Sequence, residues 1–284
     1  MYRYQDIKIV HYEITQRCQA ACPMCDRNVN GGKDSPHITN AELTLSDAKR
    51  IFDVDFIKQL KTFYMCGNLG DPCVSNYAGE GFRYFRHANP KMWLGMNTNG
   101  GARLDYFWED LADLDVVVTF SIDGLEDTNH LYRQNVRWDK VERSYKAFIG
   151  AGGRARWDYL IFDHNEHQVE EARQLAKDMG VTEFFAKEAL GFSNSKDKDN
   201  NIIQSMKVCG RKGEYQYTIM PPTKTVYDME KEFNKKNIGI VMPQKMLSDS
   251  EKVGYISDIK SDLEKSYINN EPTEYGHDEI RQHV

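Results

Sequence analysis

The chain has no run of about 20 apolar residues, so no membrane-spanning helix and no membrane partner is expected. Its first ten residues, MYRYQDIKIV, lack the apolar core of a secretory signal. A cytoplasmic location is therefore expected. Basic charge is not in excess either: 37 Lys and Arg stand against 43 Asp and Glu, a net charge of −6. Wholesale nucleic-acid binding leaves a basic footprint, so nucleic acid is not an expected partner. No internal repeat is present beyond a strand–helix alternation. Cysteine is sparse, at six in 284 residues. A chain of this length buries about three quarters of its unfolded surface, so its core needs no covalent staples. Clustered thiols in a cytoplasmic chain then point to metal binding or redox chemistry rather than structural disulfides.

The few cysteines are unevenly placed. Three of them, Cys18, Cys22 and Cys25, fall within EITQRCQAACPMCDRN (13–28), and the next is Cys66. A closed tetrahedral site takes four ligands. Three thiolates can instead hold three irons of a [4Fe–4S] cubane and leave the fourth iron open to a ligand. The residues alone leave other readings: a zinc site completed by His11 or His37, a Cys22-Pro-Met-Cys25 redox dithiol, or unpaired core cysteines.

Around this loop the pattern alternates. Runs at 7–15, 61–67, 92–99, 116–123, 156–162 and 182–189 read as strands, and VVVTFSID (116–123) is the clearest buried one. Segments at 43–60 (capped by Ser46), 77–88, 104–112, 140–152 and 166–180 read as helices, the last two stopped by glycine. Such alternation implies parallel strands with right-handed crossovers. Periodicity leaves open whether they form an open doubly wound sheet or a barrel. In both, ligands gather at the C-terminal strand ends. Those ends are Thr15–Cys25, Gly67–Cys73, Asn97–Gly101, Ser121–Gly124 and Phe162–Asn165. After residue 190 the character changes. SNSKDKDNN (193–201) reads as a solvated linker or loop, and DMEKEFNKKN and SDIKSDLEKSYI as short amphipathic helices.

Cys18-Gln-Ala-Ala-Cys22-Pro-Met-Cys25 resembles the signature of the radical S-adenosylmethionine (SAM) family. The resemblance covers about residues 8–190. MCGNLGDP (65–72) resembles the family's Gly-Gly-Glu-Pro motif, whose backbone meets the methionine amino group; glycines there let backbone approach a ligand closely. NTNGG (97–101) matches a Thr-Asn-Gly at the third strand's end. SIDGLEDTNHLYR (121–133) resembles a segment of the subgroup that often carries a SPASM or Twitch extension, and FDHNEHQVEEARQLAKDMGV its fifth strand-to-helix unit.

The resemblance implies an α/β fold: a partial (β/α)6 barrel core over 1–190 and an extension over 191–284 capping it. It implies an enzyme, an oxidoreductase or transferase. One [4Fe–4S] cluster on Cys18, Cys22 and Cys25 would cleave SAM reductively to a 5′-deoxyadenosyl radical. That radical would take hydrogen from a peptide or protein side chain. The alternatives are a small metabolite or nucleotide substrate, or a non-catalytic iron–sulfur or zinc module. A one-electron reductant such as flavodoxin or ferredoxin is the implied partner. SAM would be held by Met24, Gly67, Asn68, Gly70, Asp71, Asn97, Thr98, Asn99, Ser121, Asp123 and Arg133. Of these, Ser121 and Arg133 match groups on the methionine carboxylate. Met24 departs from the usual aromatic residue near adenine, though a thioether also packs on a purine. The auxiliary-cluster cysteines of the subgroup are missing: only Cys209 follows the core, in MKVCGRKGEYQYTIMPP (206–222). No catalytic residue is assigned. Cys66, Cys73 and Tyr132 are candidates to face the cavity, with structural packing as the alternative. Tyr159, His164 and His130 read as packing or turn residues, and Asp71 as a carboxylate that organises its loop.

Overall fold

The computed structural model describes residues 3–193, 200–202 and 204–225. Two compact units divide the chain, Met1–Phe233 and Asn234–Val284. All described residues lie in the first. The two helices expected within 228–237 and 257–268, and most of the linker expected at 193–201, lie outside the described residues.

In chain order the elements are β1 (Ile9–Tyr12), α1 (Leu45–Ile51), α2 (Val54–Gln59), β2 (Thr62–Met65), α3 (Ala78–Ala88), β3 (Trp93–Thr98), α4 (Asp105–Asp113), β4 (Val116–Ser121), α5 (Asn129–Tyr132), α6 (Trp138–Gly150), β5 (Ala155–Ile161), α7 (Val169–Met179), β6 (Glu183–Glu188), α8 (Leu190–Ser193), β7 (Met206–Cys209) and β8 (Tyr215–Ile219). Strands β1 to β6 form one parallel sheet in sequence order. This is the α/β, partial (β/α)6 architecture. β7 and β8 form a separate antiparallel hairpin. No helix among the described residues is long and apolar enough to cross a membrane.

Side chains alternate along a strand, so the register sorts the sheet into two faces. One carries Val10, Phe63 and Leu94 in a row, then Met65, Met96 and Val118, then Phe120, Trp157 and Phe184. Helices cover it. Phe85 of α3 stacks on Phe63 at 3.9 Å, and Trp108 of α4 and Phe148 of α6 lie 5.4 and 6.1 Å from Phe120. Each such ring contributes about 1.5–3 kcal/mol on burial. The other, inner face carries His11, Tyr64 and Gly95, then Asn97, Thr119, Arg156 and Glu183, then Ser121, Asp158 and Phe185, then Leu160 and Lys187. Ion pairs Arg156–Glu183 (3.0 Å) and Asp158–Lys187 (2.9 Å) cross it. The sheet is thus apolar toward its helices and largely polar within.

One expectation is corrected. The helix expected at 43–60 is two helices, because Phe52 is extended and the Asp53 side chain caps α2 by accepting from Phe56 N at 2.8 Å. The cap of α1 is Thr44, not Ser46. Thr44 and Asp47 form a reciprocal capping box. The four-residue helices α5 and α8 and the β7–β8 hairpin are additions, since elements this short carry almost no periodicity.

Candidate functional site

The chain between β1 and α1 is a closed loop. Thr15 bridges Glu42, Gln16 N donates to Ala41 O (2.8 Å), and Leu43 N donates to Ile14 O (2.8 Å). Within it, Cys25 N donates to Cys22 O and Asn28 N to Cys25 O, a tight turn through the cysteines. Arg27 locks this turn from inside. Its guanidinium is buried and donates to Gln16 O, to Asp34 (3.2 Å) and to Asn40 (3.0 Å). Nothing in a lone sequence separates Arg27 from a surface arginine. Asn28, also missed, donates to Cys22 O (3.2 Å) and accepts from Gly31 N.

Cys22 is buried, Cys18 and Cys25 are half-buried, and all three are free thiols. Asn99 Nδ2 lies 3.6 Å from Cys18 Sγ, and Arg133 Nη1 lies 3.6 Å from Cys22 Sγ. Cys25 Sγ faces Asn68 O at 3.6 Å. Burial pushes the Cys18 thiol well up, and the Cys22 thiol up to about 11 against the opposing pull of Arg133. Metal ligation requires the thiolate, so these buried sulfurs suit a bound cationic centre. Among the described residues no three His, Cys, Asp or Glu side chains are arranged around a point that would hold one metal ion. A cubane asks for less convergence, since each cysteine takes a different iron. Three thiols of this kind are a donor set that fits a cubane. Of the two histidines considered for a zinc site, His11 Nε2 meets Cys66 O at 2.7 Å and His37 is exposed.

The glycine loop after β2 packs onto the cysteine loop. A Cβ on Gly70 would run into the Thr15 carbonyl, and one on Gly67 into the Gly70 carbonyl. These glycines therefore serve the approach of one backbone to another, a reason not foreseen from the ligand-binding reading. Asp71 N donates to Arg17 O (2.9 Å), and Asn68 donates through its backbone and side chain to Glu13. The Asp71 carboxylate accepts from Cys73 N (3.0 Å), Thr98 Oγ1 (2.8 Å), Asn99 N (2.7 Å) and Asn99 Nδ2 (2.6 Å). Asp71, Thr98 and Asn99 are thus one buried knot joining β2 and β3. Asn97 stands on the inner face, while Thr98 turns into the knot. Cys73 is fully buried beside Asp71. Cys66 is half-buried, two residues beyond Tyr64 of the inner face.

The third part follows β4. Asp123 is fully buried and accepts from Arg133 Nε (2.5 Å) and Leu160 N (2.6 Å). Burial works against the charge on Arg133, but Asp123 and the Cys22 sulfur outweigh it and push the guanidinium up. Gly124, at φ +139, lets Asn129 reach back to Asp123 N (2.9 Å), and α5 then delivers Arg133. Ser121 is half-buried at the end of β4, in register with Asp158. Tyr132 is buried against Phe162 at 4.5 Å. Ala21 N donates to Gln134 O (3.0 Å), so cysteine loop and Arg133 segment are tied directly. The hairpin adds Tyr217 OH donating to Leu131 O (2.6 Å) and Cys209 N donating to Asn30 O (2.8 Å). Met24 Sδ lies against Gly191, 2.6 Å from where a Cβ would stand.

The structure thus brings Cys18, Cys22, Cys25, Asn68, Gly70, Asp71, Asn99, Asp123 and Arg133 into one connected site. It leaves Cys73 in the core behind that site.

No protein-family model and no curated protein matches the sequence. Solved structures do. The crystal structure of Streptococcus suis SuiB bound to S-adenosylmethionine is 15% identical, covering 81% of this chain and 47% of that one at a TM-score of 0.56. SuiB bound to precursor peptide SuiA is 16% identical over 69% and 41%, at 0.53. Native anSMEcpe with bound AdoMet is 16% identical over 69% and 56%, also at 0.53. The chain spans about half the length of these structures. Sheet order and these likenesses agree: the chain shares the α/β fold of these structures, a partial (β/α)6 barrel.

Proposed function

We propose that the protein is a radical SAM enzyme with a single [4Fe–4S] cluster on Cys18, Cys22 and Cys25, acting on a peptide or protein side chain. The observation that carries this reading is the meeting of three thiols with Asn99 and Arg133 at the C-terminal end of a parallel half-barrel. When bound, the cluster and SAM supply a one-electron route to hydrogen abstraction, given a reductant such as flavodoxin or ferredoxin. The chain's own residues bind and orient. Arg133 keeps guanidinium donors beyond those used on Asp123 and Cys22 for the methionine carboxylate, with Ser121 alongside. The Asn68–Asp71 backbone borders the same site. The polar inner face, with its Arg156–Glu183 and Asp158–Lys187 pairs, suits a hydrogen-bonding substrate group. Two of the similar structures hold peptides, SuiB with SuiA and anSMEcpe with Cp18Cys peptide, which favours a peptide here. The chain after residue 190 is read as an extension to the 1–190 core, and within it the β7–β8 hairpin contacts Asn30 and Leu131. A cytoplasmic setting suits an oxygen-sensitive cluster.

The test is anaerobic reconstitution and reduction with SAM, with and without cell extract, read by mass spectrometry. 5′-Deoxyadenosine and methionine are expected, with faster release when substrate is present. Iron bound without any 5′-deoxyadenosine would leave an iron–sulfur binding module as the better account.

A further inference from the structure

Two of the three cluster cysteines are approached by a side-chain N–H, and both approaches are built in the same way. At Cys18 the donor is the Asn99 amide. Its NH2 has two hydrogens; Nδ2 lies 2.6 Å from the buried Asp71 carboxylate and 3.6 Å from the Cys18 sulfur. Its Oδ1 accepts from Gln19 Nε2 (2.5 Å) and Gly101 N (2.8 Å), which fixes the amide plane and polarises it. At Cys22 the donor is the Arg133 guanidinium. Nε is held by Asp123, and Nη1 reaches the sulfur at 3.6 Å. Asp123 is fully buried and Asp71 nearly so. The Cys25 sulfur differs, since it faces the carbonyl of Asn68.

We infer that Asn99 and Arg133, locked by Asp71 and Asp123, are positioning residues that raise the cluster's reduction potential by donating hydrogen bonds to the Cys18 and Cys22 sulfurs. The physical reason is charge. Reduction adds an electron that spreads onto the ligating sulfurs, and N–H donors stabilise the more negative state. A guanidinium does so more strongly than an amide, because its hydrogen bond is charge-assisted. The buried carboxylates fix the direction of each donor without touching the sulfurs. The asymmetry at Cys25 follows: electron density is drawn toward the Cys18 and Cys22 corners. This inference rests on the cluster reading above, and its test separates the two.

The experiment is an EPR-monitored redox titration of reconstituted protein without SAM, so that any role of Arg133 toward the ligand is silent. Wild type is compared with Asn99→Ala, Asn99→Ser, Arg133→Met, Arg133→Lys and the control Asn28→Ala. Asn28 holds the same loop through Cys22 O but gives its N–H to no sulfur. Arg133→Met should disfavour reduction about tenfold, a fall of about 59 mV for one electron. Asn99→Ala should lower the potential by less, and Arg133→Lys should recover part of the loss. Asn28→Ala should lose iron sooner while its bound cluster keeps the wild-type potential. Loaded variants titrating at the wild-type potential would overturn the inference, as would an equal shift in Asn28→Ala. If Asn99→Ala or Arg133→Met takes up no iron, Asn99→Ser and Arg133→Lys decide by the same criterion. Wild type that binds no cluster at all would overturn the functional reading itself.

Discussion

Gly70 lies so close to the Thr15 carbonyl that the two loops carrying the site leave no room between them for a methyl group. The glycine loop is a wall of the cysteine loop before it is anything to a ligand.

Replacing Gly70 with Ala should therefore unseat the cysteine loop. The obstacle is backbone, which cannot swing aside as a side chain would. Loss of most bound iron and a lower urea midpoint are expected. Gly150→Ala is the opposite case: its Cβ meets nothing within 4 Å and the residue ends α6, so stability should rise by up to about 1 kcal/mol. Equal midpoints for both variants would refute this reading.

Iron counting tests the cysteines. Anaerobic protein should hold about four irons per chain, as one cubane demands. A Cys18→Ala, Cys22→Ala, Cys25→Ala variant should be colourless. Cys66→Ser and Cys209→Ser should keep full iron content. About eight irons in the wild type would mean a second cluster.

Arg27 should matter to the loop as much as any cysteine. Arg27→Met removes charged donors from Gln16 O and Asn40, a cost of about 3 kcal/mol. Its ion pair with half-exposed Asp34 adds little to that figure. The measurements are the urea midpoint and the rate of iron loss to a chelator. A variant as stable and as retentive as wild type would contradict it.

His164 should make stability depend on pH. Its ring stacks on Phe162 at 5.2 Å, and its Nε2 is buried without a hydrogen-bond partner among the described residues. Burial lowers its pKa below the ordinary 6.5, with Asp163 opposing and His130 and His167 adding to the fall. Above about pH 6.5 both folded and unfolded states hold it neutral, and its contribution is fully present. As pH drops below that value the unfolded state takes the proton first, and stability falls until the folded ring also titrates. Denaturation midpoints from pH 7.5 to pH 5 should fall less steeply in His164→Gln than in wild type. Parallel slopes would show that the ring titrates alike in both states.

The pin beneath Arg133 gives a smaller effect. Tyr217→Phe deletes the hydrogen bond to Leu131 O, at a cost of about 1 kcal/mol. It should also speed hydrogen exchange at the amides of 129–134, measured by mass spectrometry.

The six strands were readable because each is a β-branched or aromatic run bounded by turn residues, and their alternation with helices fixed parallel pairing. VVVTFSID needed no neighbour to be recognised. The barrel was not readable from periodicity, which is the same for an open sheet; resemblance supplied it. Cys18, Cys22 and Cys25 announced themselves by spacing. Asn99, Asp123 and Arg133 were found only through motif resemblance, and their hydrogen bonds to one another and to sulfur lay beyond it. Arg27, Asn28 and Gln19 gave no signal, because burial of a polar side chain inside a loop depends on how distant segments close over it. The break at Phe52–Asp53 was masked by an apolar pattern that runs straight through it. Asp53 ends the helix by capping the next one.

The order of the sheet bears on how the site comes into being during synthesis. Strands β1 to β6 pair with their sequence neighbours, so each strand leaving the ribosome finds its partner already made. The site does not share that convenience. Its three cysteines follow the first strand, yet the wall at Gly70 comes with the second strand, Asn99 with the third, and Arg133 only after the fourth. The Tyr217 pin on Leu131 arrives later still. A nascent chain therefore carries exposed thiols while the later strands are still being made, and the pocket around them closes only when nearly all of the described fold has emerged. Iron delivered to a finished barrel meets an ordered set of thiols; iron or oxygen met before then finds a loose loop.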